Sequence, residues 1–324
     1  MLQIGPVTLH PPVILAPMAG ISDVPFRQLA LRFGAGLVVS EMVASEEMMQ
    51  AKPGVRERAA LGLGQAQTAV QLAARDPYWA GEAARMVVAN GAAMIDINMG
   101  CPARKVVGGL SGSALMRDLA LAGRLIRAIV GAVDVPVTLK TRLGWDDDSR
   151  NAAELARIAE GSGVQMLTIH GRTRCQFYKG VADHAAIRDV VDAVDIPVIA
   201  NGDISTVQAA KTALSLSGAK GVMVGRAAGG QPWLPGQIAH AIYDTPQPEI
   251  PTGKALVAMI AQHYEASLSF YGETLGRKVI RKHLGWYMDH AATPTALRRE
   301  VLTAPSARAV LTLLPDAIDA GIAA

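Results

Sequence analysis

The stretch VILAPMAGISD, residues 13–23, decides the fold. It is an apolar run of strand length ending in a turn, the place where an open nucleotide-binding sheet would carry its glycine-rich GxGxxG loop. Here the run ends in Pro17, Met18 and Ala19, with one glycine at position 20. A doubly wound open sheet therefore lacks its main signature.

Seven further runs follow: GLVVSE (36–41), TAVQLA (68–73), MIDINM (94–99), VPVTLKTRL (135–143), VQMLTIHG (164–171), IPVIANGD (196–203) and GVMVGR (221–226). Segments with apolar residues three and four apart lie between them, including PYWAGEAARMVVAN, SALMRDLALAGRLIRAIV and NAAELARIAEGS. Strands that are apolar throughout and alternate with helices require a parallel sheet covered on its outer face. Eight such units close into a (β/α)8 TIM barrel. The pattern ends after Arg226, and the proline-rich DTPQPEIPTG (244–253) reads as a linker. Beyond it every candidate element has helical spacing. The expected division is a barrel over 1–243, a linker over 244–253 and a small C-terminal all-α helical bundle over 254–324.

Half of the 324 residues are hydrophobic, ample for a core, yet no run approaches the roughly 18 to 20 apolar residues of a membrane span. MLQIGPVTLHPP has no secretory pattern, and two cysteines are too few for a disulfide framework or a zinc site, so a cytoplasmic, metal-free protein is expected. A monomer is taken as the starting expectation, not as a reading of these features. The net charge of +3 does not by itself announce a nucleic-acid partner; local clustering must decide.

Chemistry in such a barrel belongs at the C-terminal strand ends, and all eight runs end in polar or conformationally special residues. They supply Pro17 and Met18, Glu41, Gln71, Asn98 with Cys101, Lys140 with Arg142, His170 with Arg172, Asn201 with Asp203, and Arg226. The glycine-bearing loops Asn201–Gly202–Asp203 and Gly225–Arg226 follow the last two strands, where backbone N–H groups of such barrels bind phosphate. Lys140, inside the run VTLKTRL, must either snorkel to water or meet an anion. An electron-rich cofactor ring would satisfy it.

In order and spacing, PMAGISDVPFR, SEM, QLAA, DINMGCPARKV, KTRLGWD, TIHGRTR, PVIANGDI and VGRAA resemble the flavin-dependent tRNA-dihydrouridine synthases, and the set looks like the bacterial B type. The likeness extends into RKVIRKHLGWY (277–287) and so covers nearly the whole chain. It implies an FMN across the barrel mouth beside Pro17, Met18 and Ala19. Gln71 and Lys140 would meet the flavin ring, and Asn201, Gly202, Asp203, Gly225 and Arg226 its phosphate. It implies reduction of a uridine in the tRNA D-loop, with NADPH supplying electrons to the flavin, hydride passing to C6 and Cys101 giving the proton to C5. A thiol, with an ordinary pKa near ~8.5, still holds its proton at neutral pH. His170, Arg172 and Arg174 would orient substrate or cofactor phosphate, with Asn98 and Arg142 beside the base. Lys278, Arg281 and Lys282 would hold tRNA backbone from one helix face. One departure is VVGGLSGS after the cysteine loop, which lacks the basic residues that some relatives carry there.

Each assignment has a plainer rival. Cys101 can be a small buried hydrophobe, His170 a hydrogen-bonded strand end, and the basic cluster a solvated face. Two rival functions are a small-molecule flavin barrel of the dihydroorotate dehydrogenase kind and an RNA-binding scaffold without catalysis. The first gives no reason for the bundle or RKVIRKH, and the second none for Cys101, Lys140 and Gln71 together.

Overall fold

The computed structural model describes residues 1–49, 59–60, 62 and 67–322. A short antiparallel hairpin, β1 (Leu2–Ile4) and β2 (Val7–Leu9), precedes the first barrel strand, β3 (Val13–Leu15). The strands β4 (Leu37–Val39), β5 (Val43–Ala44), β6 (Thr68–Ala73), β7 (Ile95–Met99), β8 (Val137–Arg142), β9 (Met166–His170), β10 (Val198–Asn201) and β11 (Gly221–Val224) follow. The order β4-β3-β11-β10-β9-β8-β7-β6, with β4 also paired to β6, closes a ring of eight parallel strands. Each of the eight apolar runs supplies one of them. The two-residue β5 pairs beside the ring with the end of β6.

Every residue of β3, β4, β6, β7, β9, β10 and β11 is buried, yet the strands sort by alternation. Val13, Leu15, Val38, Val70, Leu72, Ile97, Leu139, Ile169, Ala200 and Val224 pack outward against the helices. The alternate residues Ile14, Leu37, Val39, Ala69, Met94, Met166, Ile199 and Met223 form a separate inner cluster that Ile4 and Leu9 of the hairpin close from below. The same inward parity, continued toward the C-terminal ends, reaches Glu41, Gln71, Asn98, Lys140, His170 and Asn201. A strand turns successive side chains to opposite faces, so the barrel interior is apolar below and polar at its mouth.

The span SALMRDLALAGRLIRAIV, expected as one helix, is divided. Gly112–Arg117 is a 3-10 turn, and a new helix runs over Leu119–Val130. Asp118 makes the break: its carboxylate accepts the Leu121 N–H at 2.9 Å, which is N-cap chemistry and outcompetes continuation of the preceding turn.

The helix Leu234–Tyr243 ends at Asp244, and four helices follow from Gly253: Gly253–Tyr271, Glu273–His290, Thr295–Thr303 and Ala307–Ile322. Residues 323–324 of the expected bundle lie outside the described residues. The bundle core includes Leu29, Phe33 and Trp233 from the barrel side, so the two parts share apolar surface. Tyr287 is buried there, and a Cβ added to Gly229 would lie 2.8 Å from the Trp286 ring. Polar ties reinforce the junction: His283 Nε2 meets the Ile21 carbonyl at 3.1 Å, with the Phe26 ring 4.5 Å from the imidazole. Among the described residues no helix is long and apolar enough to cross a membrane.

Candidate functional site

A cavity of about 470 Å³ opens at the C-terminal ends of β3, β8, β9, β10 and β11. Nine of the eleven residues expected to hold a cofactor line it: Pro17, Met18, Lys140, His170, Asn201, Gly202, Asp203, Gly225 and Arg226. Ala19 and Gln71 lie outside its lining. The loop 17–23 is pinned by its own side chains and by the barrel. Ser22 Oγ accepts the Met18 N–H at 2.7 Å, and the Glu41 carboxylate accepts the Ile21 N–H at 3.1 Å.

Lys140 Nζ donates to Asn201 Oδ1 at 3.1 Å, and Asn201 Nδ2 donates to the Met223 carbonyl at 2.8 Å. The lysine neither snorkels to water nor meets a full counter-charge within hydrogen-bond reach. Burial, reinforced by Arg142 and opposed by Asp96 and Cys101, pushes its pKa down to about 8. Burial and the surrounding cations Lys140, Arg142, Arg172 and Arg226 hold His170 far below its ordinary pKa, so the imidazole is neutral. It lies 3.3 Å from an Arg172 Nη1.

The three arginines at the end of β8 and after β9 differ in their commitments. Arg142 donates to the carbonyls of Gly100 (2.8 Å), Thr173 (3.0 Å) and Phe177 (2.9 Å), tying the cysteine loop to the loop after β9. Burial pushes its pKa down to about 10. Arg172 is buried and donates to the Lys179 and Gly180 carbonyls and, at 2.5 Å, to the Asp203 carboxylate. Partial burial alone would raise the Asp203 pKa, but the Arg172 hydrogen bond and the Ala182 N–H hold it below the usual carboxylate range. The Asp203 carboxylate therefore faces Arg172, leaving its backbone as the part suited to an anion. Arg174 lies over the Trp145 and Phe177 rings at 4.6 and 4.7 Å.

Gly202 shows why its position takes glycine. Its φ is +114°, and a Cβ there would lie 2.7 Å from Ala182 Cβ and 3.0 Å from the His170 ring. At Gly225 the nearest atom to an added Cβ is Ala16 Cβ at 3.8 Å, and both residues line the cavity, so a larger side chain has room to grow from its wall.

Cys101 is half-buried and sits outside that lining, beyond β7. Asn98 Oδ1 accepts the N–H groups of Gly100 (3.1 Å) and Cys101 (2.9 Å), while the Cys101 carbonyl accepts from Ser113 Oγ at 2.8 Å. Asn98 pairs in register with Lys140, and Arg142 grips the carbonyl of Gly100 next to the cysteine, so both cations flank the cysteine loop. Cys175, by contrast, is exposed.

Sequence reasoning missed two residues. Asp96 is buried below Asn98, and its only signal is the i, i+2 spacing that puts both on one strand face. Tyr178 lines the cavity, with the Arg226 guanidinium 4.5 Å and the Arg142 guanidinium 5.5 Å from its ring centre. An aromatic in CQFYKG had no periodicity to mark it.

The basic cluster is on the helix Glu273–His290, with Lys278, Arg281 and Lys282 all exposed. Arg277 belongs elsewhere, since its Nη2 donates to the Ala304 carbonyl at 2.6 Å. A Cβ added to Gly20 would lie 3.5 Å from Lys282 Nζ, so the cluster begins at the rim of the barrel mouth.

The residues fit a flavin mononucleotide. A half-buried ammonium, a neutral imidazole and Arg226 converge on a cavity in the cofactor size range, and the glycine-bearing loops Asn201–Asp203 and Gly225–Arg226 form part of its wall.

A family model described as dihydrouridine synthase (Dus) matches residues 14–320. A Rhodobacter capsulatus protein named "Probable tRNA-dihydrouridine synthase" is 56% identical over 98% of this chain and 97% of its own. The tRNA-dihydrouridine synthase B of Xanthomonas campestris pv. campestris is 46% identical over 99% of this chain and 97% of its own. Among solved structures, a 2-naphthoyl-CoA reductase complex superposes with a TM-score of 0.58 at 12% identity, covering 74% of this chain and 51% of that one. The histamine dehydrogenase from Rhizobium sp. 4-9 gives 0.57 at 13% identity, covering 99% and 64%. The chain spans about half to two-thirds of those structures, and the likeness to them is one of fold.

Proposed function

Because the chain belongs to the dihydrouridine synthase family, we propose that it reduces the C5–C6 double bond of a uridine in the tRNA D-loop, using FMN and NADPH, in the manner of the B type. The observation that carries this is that Lys140, which lines the cofactor-sized cavity, pairs in register with Asn98, whose amide oxygen holds the Cys101 backbone N–H. When bound, a flavin supplies the hydride for uracil C6.

The remaining chemistry belongs to the chain. Hydride arrival at C6 leaves negative charge toward C5, and the Cys101 thiol supplies the proton there; the C5–C6 π bond is lost as two C–H bonds form. Lys140 would hold the electron-rich ring through its cation, from the cavity wall. Gly202, Gly225 and Arg226 cradle the cofactor phosphate, and neutral His170 offers a hydrogen bond without competing for the proton. Arg142 and Arg172, buried and bonded to the loops around the mouth, orient the substrate by shaping that mouth. Asn98 and Arg174 flank the same opening. A uridine in folded tRNA must be extruded to reach this depth, so the surrounding backbone needs holding. Lys278, Arg281 and Lys282 do so from the bundle, with 1–243 as the catalytic unit and 254–324 as the tRNA-binding one, in a cytoplasmic monomer.

The direct test is the absorption spectrum of the purified protein, followed by dihydrouridine formation from unmodified tRNA with NADPH. A colourless protein that cannot be loaded with FMN overturns the proposal. Replacing Gly225 with tryptophan is expected to give a folded protein with flavin content reduced by about tenfold or more, because bulk enters the phosphate end of the cavity. Full flavin content by absorbance would refute the phosphate assignment.

Charge reversal at Lys278, Arg281 and Lys282 is expected to weaken tRNA binding by roughly 10²-fold at low salt and to flatten its salt dependence. Flavin reduction by NADPH without tRNA should stay normal. Unchanged binding in a salt titration would reduce the cluster to a solvated face.

A further inference from the structure

Three side chains at the inner face of β6 and β7 form an unbroken chain beneath the cysteine loop. Gln71 Nε2 donates to Asp96 Oδ2 at 2.7 Å, and Asn98 Nδ2 donates to Gln71 Oε1 at 2.8 Å. Asn98 Oδ1 then accepts the backbone N–H groups of Gly100 and Cys101 at 3.1 and 2.9 Å. At the far end, Thr138 Oγ donates to Asp96 Oδ1 at 2.7 Å. All three side chains are buried.

An amide has one accepting and one donating end, so each can stand in two orientations. Here neither is free to turn. The two backbone N–H groups can only donate, which forces Asn98 to offer its oxygen to the loop and its nitrogen to Gln71. Gln71 must then offer its oxygen to Asn98 and its nitrogen to residue 96, which has to accept. The reversed chain would set donors against donors at Gly100 and Cys101 and leave buried groups unpaired. We propose that Asp96 is a positioning residue: by accepting from Gln71 it fixes the orientation of both amides and thereby holds the Cys101 loop, which it does not itself touch. Its importance to catalysis rests on Cys101 being the proton donor, but the positioning itself does not.

The sense of the chain makes an unusual mutational prediction. Asp96→Asn keeps it, since the new amide can turn its oxygen to Gln71 and its nitrogen to Thr138 Oγ. Asn98→Asp breaks it, because a second carboxylate leaves the Gln71 oxygen facing an acceptor whichever way it turns. The double variant Asp96→Asn/Asn98→Asp restores every bond with the whole chain reversed.

Asn98→Asp is expected to lower the melting temperature by roughly 5 °C or more near neutral pH, with recovery on acidification as one carboxylate takes up a proton. The double variant should regain most of that loss and show no such recovery. If the two substitutions act independently on packing, their effects add and the double variant is no better than Asn98→Asp, which overturns the proposal. Hydrogen exchange read on peptides spanning 99–103 gives a second measure. Asp96→Leu should speed exchange at the Gly100 and Cys101 amides by about tenfold or more, and Asp96→Asn by less than about threefold. Unaltered exchange in a folded Asp96→Leu protein also overturns it, and if that variant does not fold, the cycle between positions 96 and 98 decides alone. Neither measurement needs flavin or tRNA. A wild-type protein that makes no dihydrouridine would therefore sink the proposed function while leaving the positioning role intact.

Discussion

Replacing Cys101 with alanine is expected to slow single-turnover dihydrouridine formation by about 10²- to 10⁴-fold, the range that general acid catalysis supplies. Flavin content and flavin reduction by NADPH should persist, because the thiol lies outside the cavity lined by Lys140, His170 and Arg226. The loop itself should hold, since Asn98 and Ser113 grip its backbone rather than the thiol. Cys175→Ala is the matched control: that thiol is exposed and has no assigned role in the proton transfer, so rates should be near normal. The measurement is tRNA-dependent reoxidation of the prereduced protein, normalised to bound flavin. An unimpaired rate for Cys101→Ala would mean that the cysteine serves packing alone.

Lys140→Met is expected to weaken flavin binding by roughly 10²-fold, since it removes a half-buried, charge-assisted donor from the cavity wall. The wild-type lysine also predicts a pH dependence with two opposite signs. Its pKa in the cofactor-free fold is pushed down to about 8, below the ordinary lysine value of 10.5. Between those values the unfolded chain binds more protons than the folded one, so this group makes the cofactor-free protein more stable as pH rises through that window. Flavin affinity should move the other way, falling by up to about tenfold per pH unit above pH 8 as the ammonium is lost. Calorimetric melting and flavin titration of wild type and Lys140→Met separate the two. A wild-type affinity flat from pH 7 to about pH 10 would rule out a charged Lys140 as the flavin's partner.

Much of this site was legible one residue at a time. Lys140 in VTLKTRL and His170 in LTIHG stand out because a titratable group inside an apolar run needs a reason. Gly202 and Gly225 stand out because glycine after a strand permits backbone approach. Arg142 and Arg172 were legible as cations at strand ends, but not as donors to the carbonyls of Gly100, Thr173, Phe177, Lys179 and Gly180. Those acceptors come from loops whose path no local pattern predicts.

The eight runs, their spacing and the break after Arg226 determined the barrel and the bundle from the sequence alone, because periodicity is a local property and closure of eight apolar strands has few solutions. Tertiary structure alone decided the use of each polar residue. It set Asp203 against Arg172, put Tyr178 beside Arg226, placed Asp96 beneath Asn98 and brought Lys282 to the rim over Gly20. Hydrogen bonds in a closed barrel join residues far apart in the chain but adjacent across strands, and their direction depends on which donors the loops present at the mouth. Spacing along one strand records which face a side chain takes, not the partner it meets there.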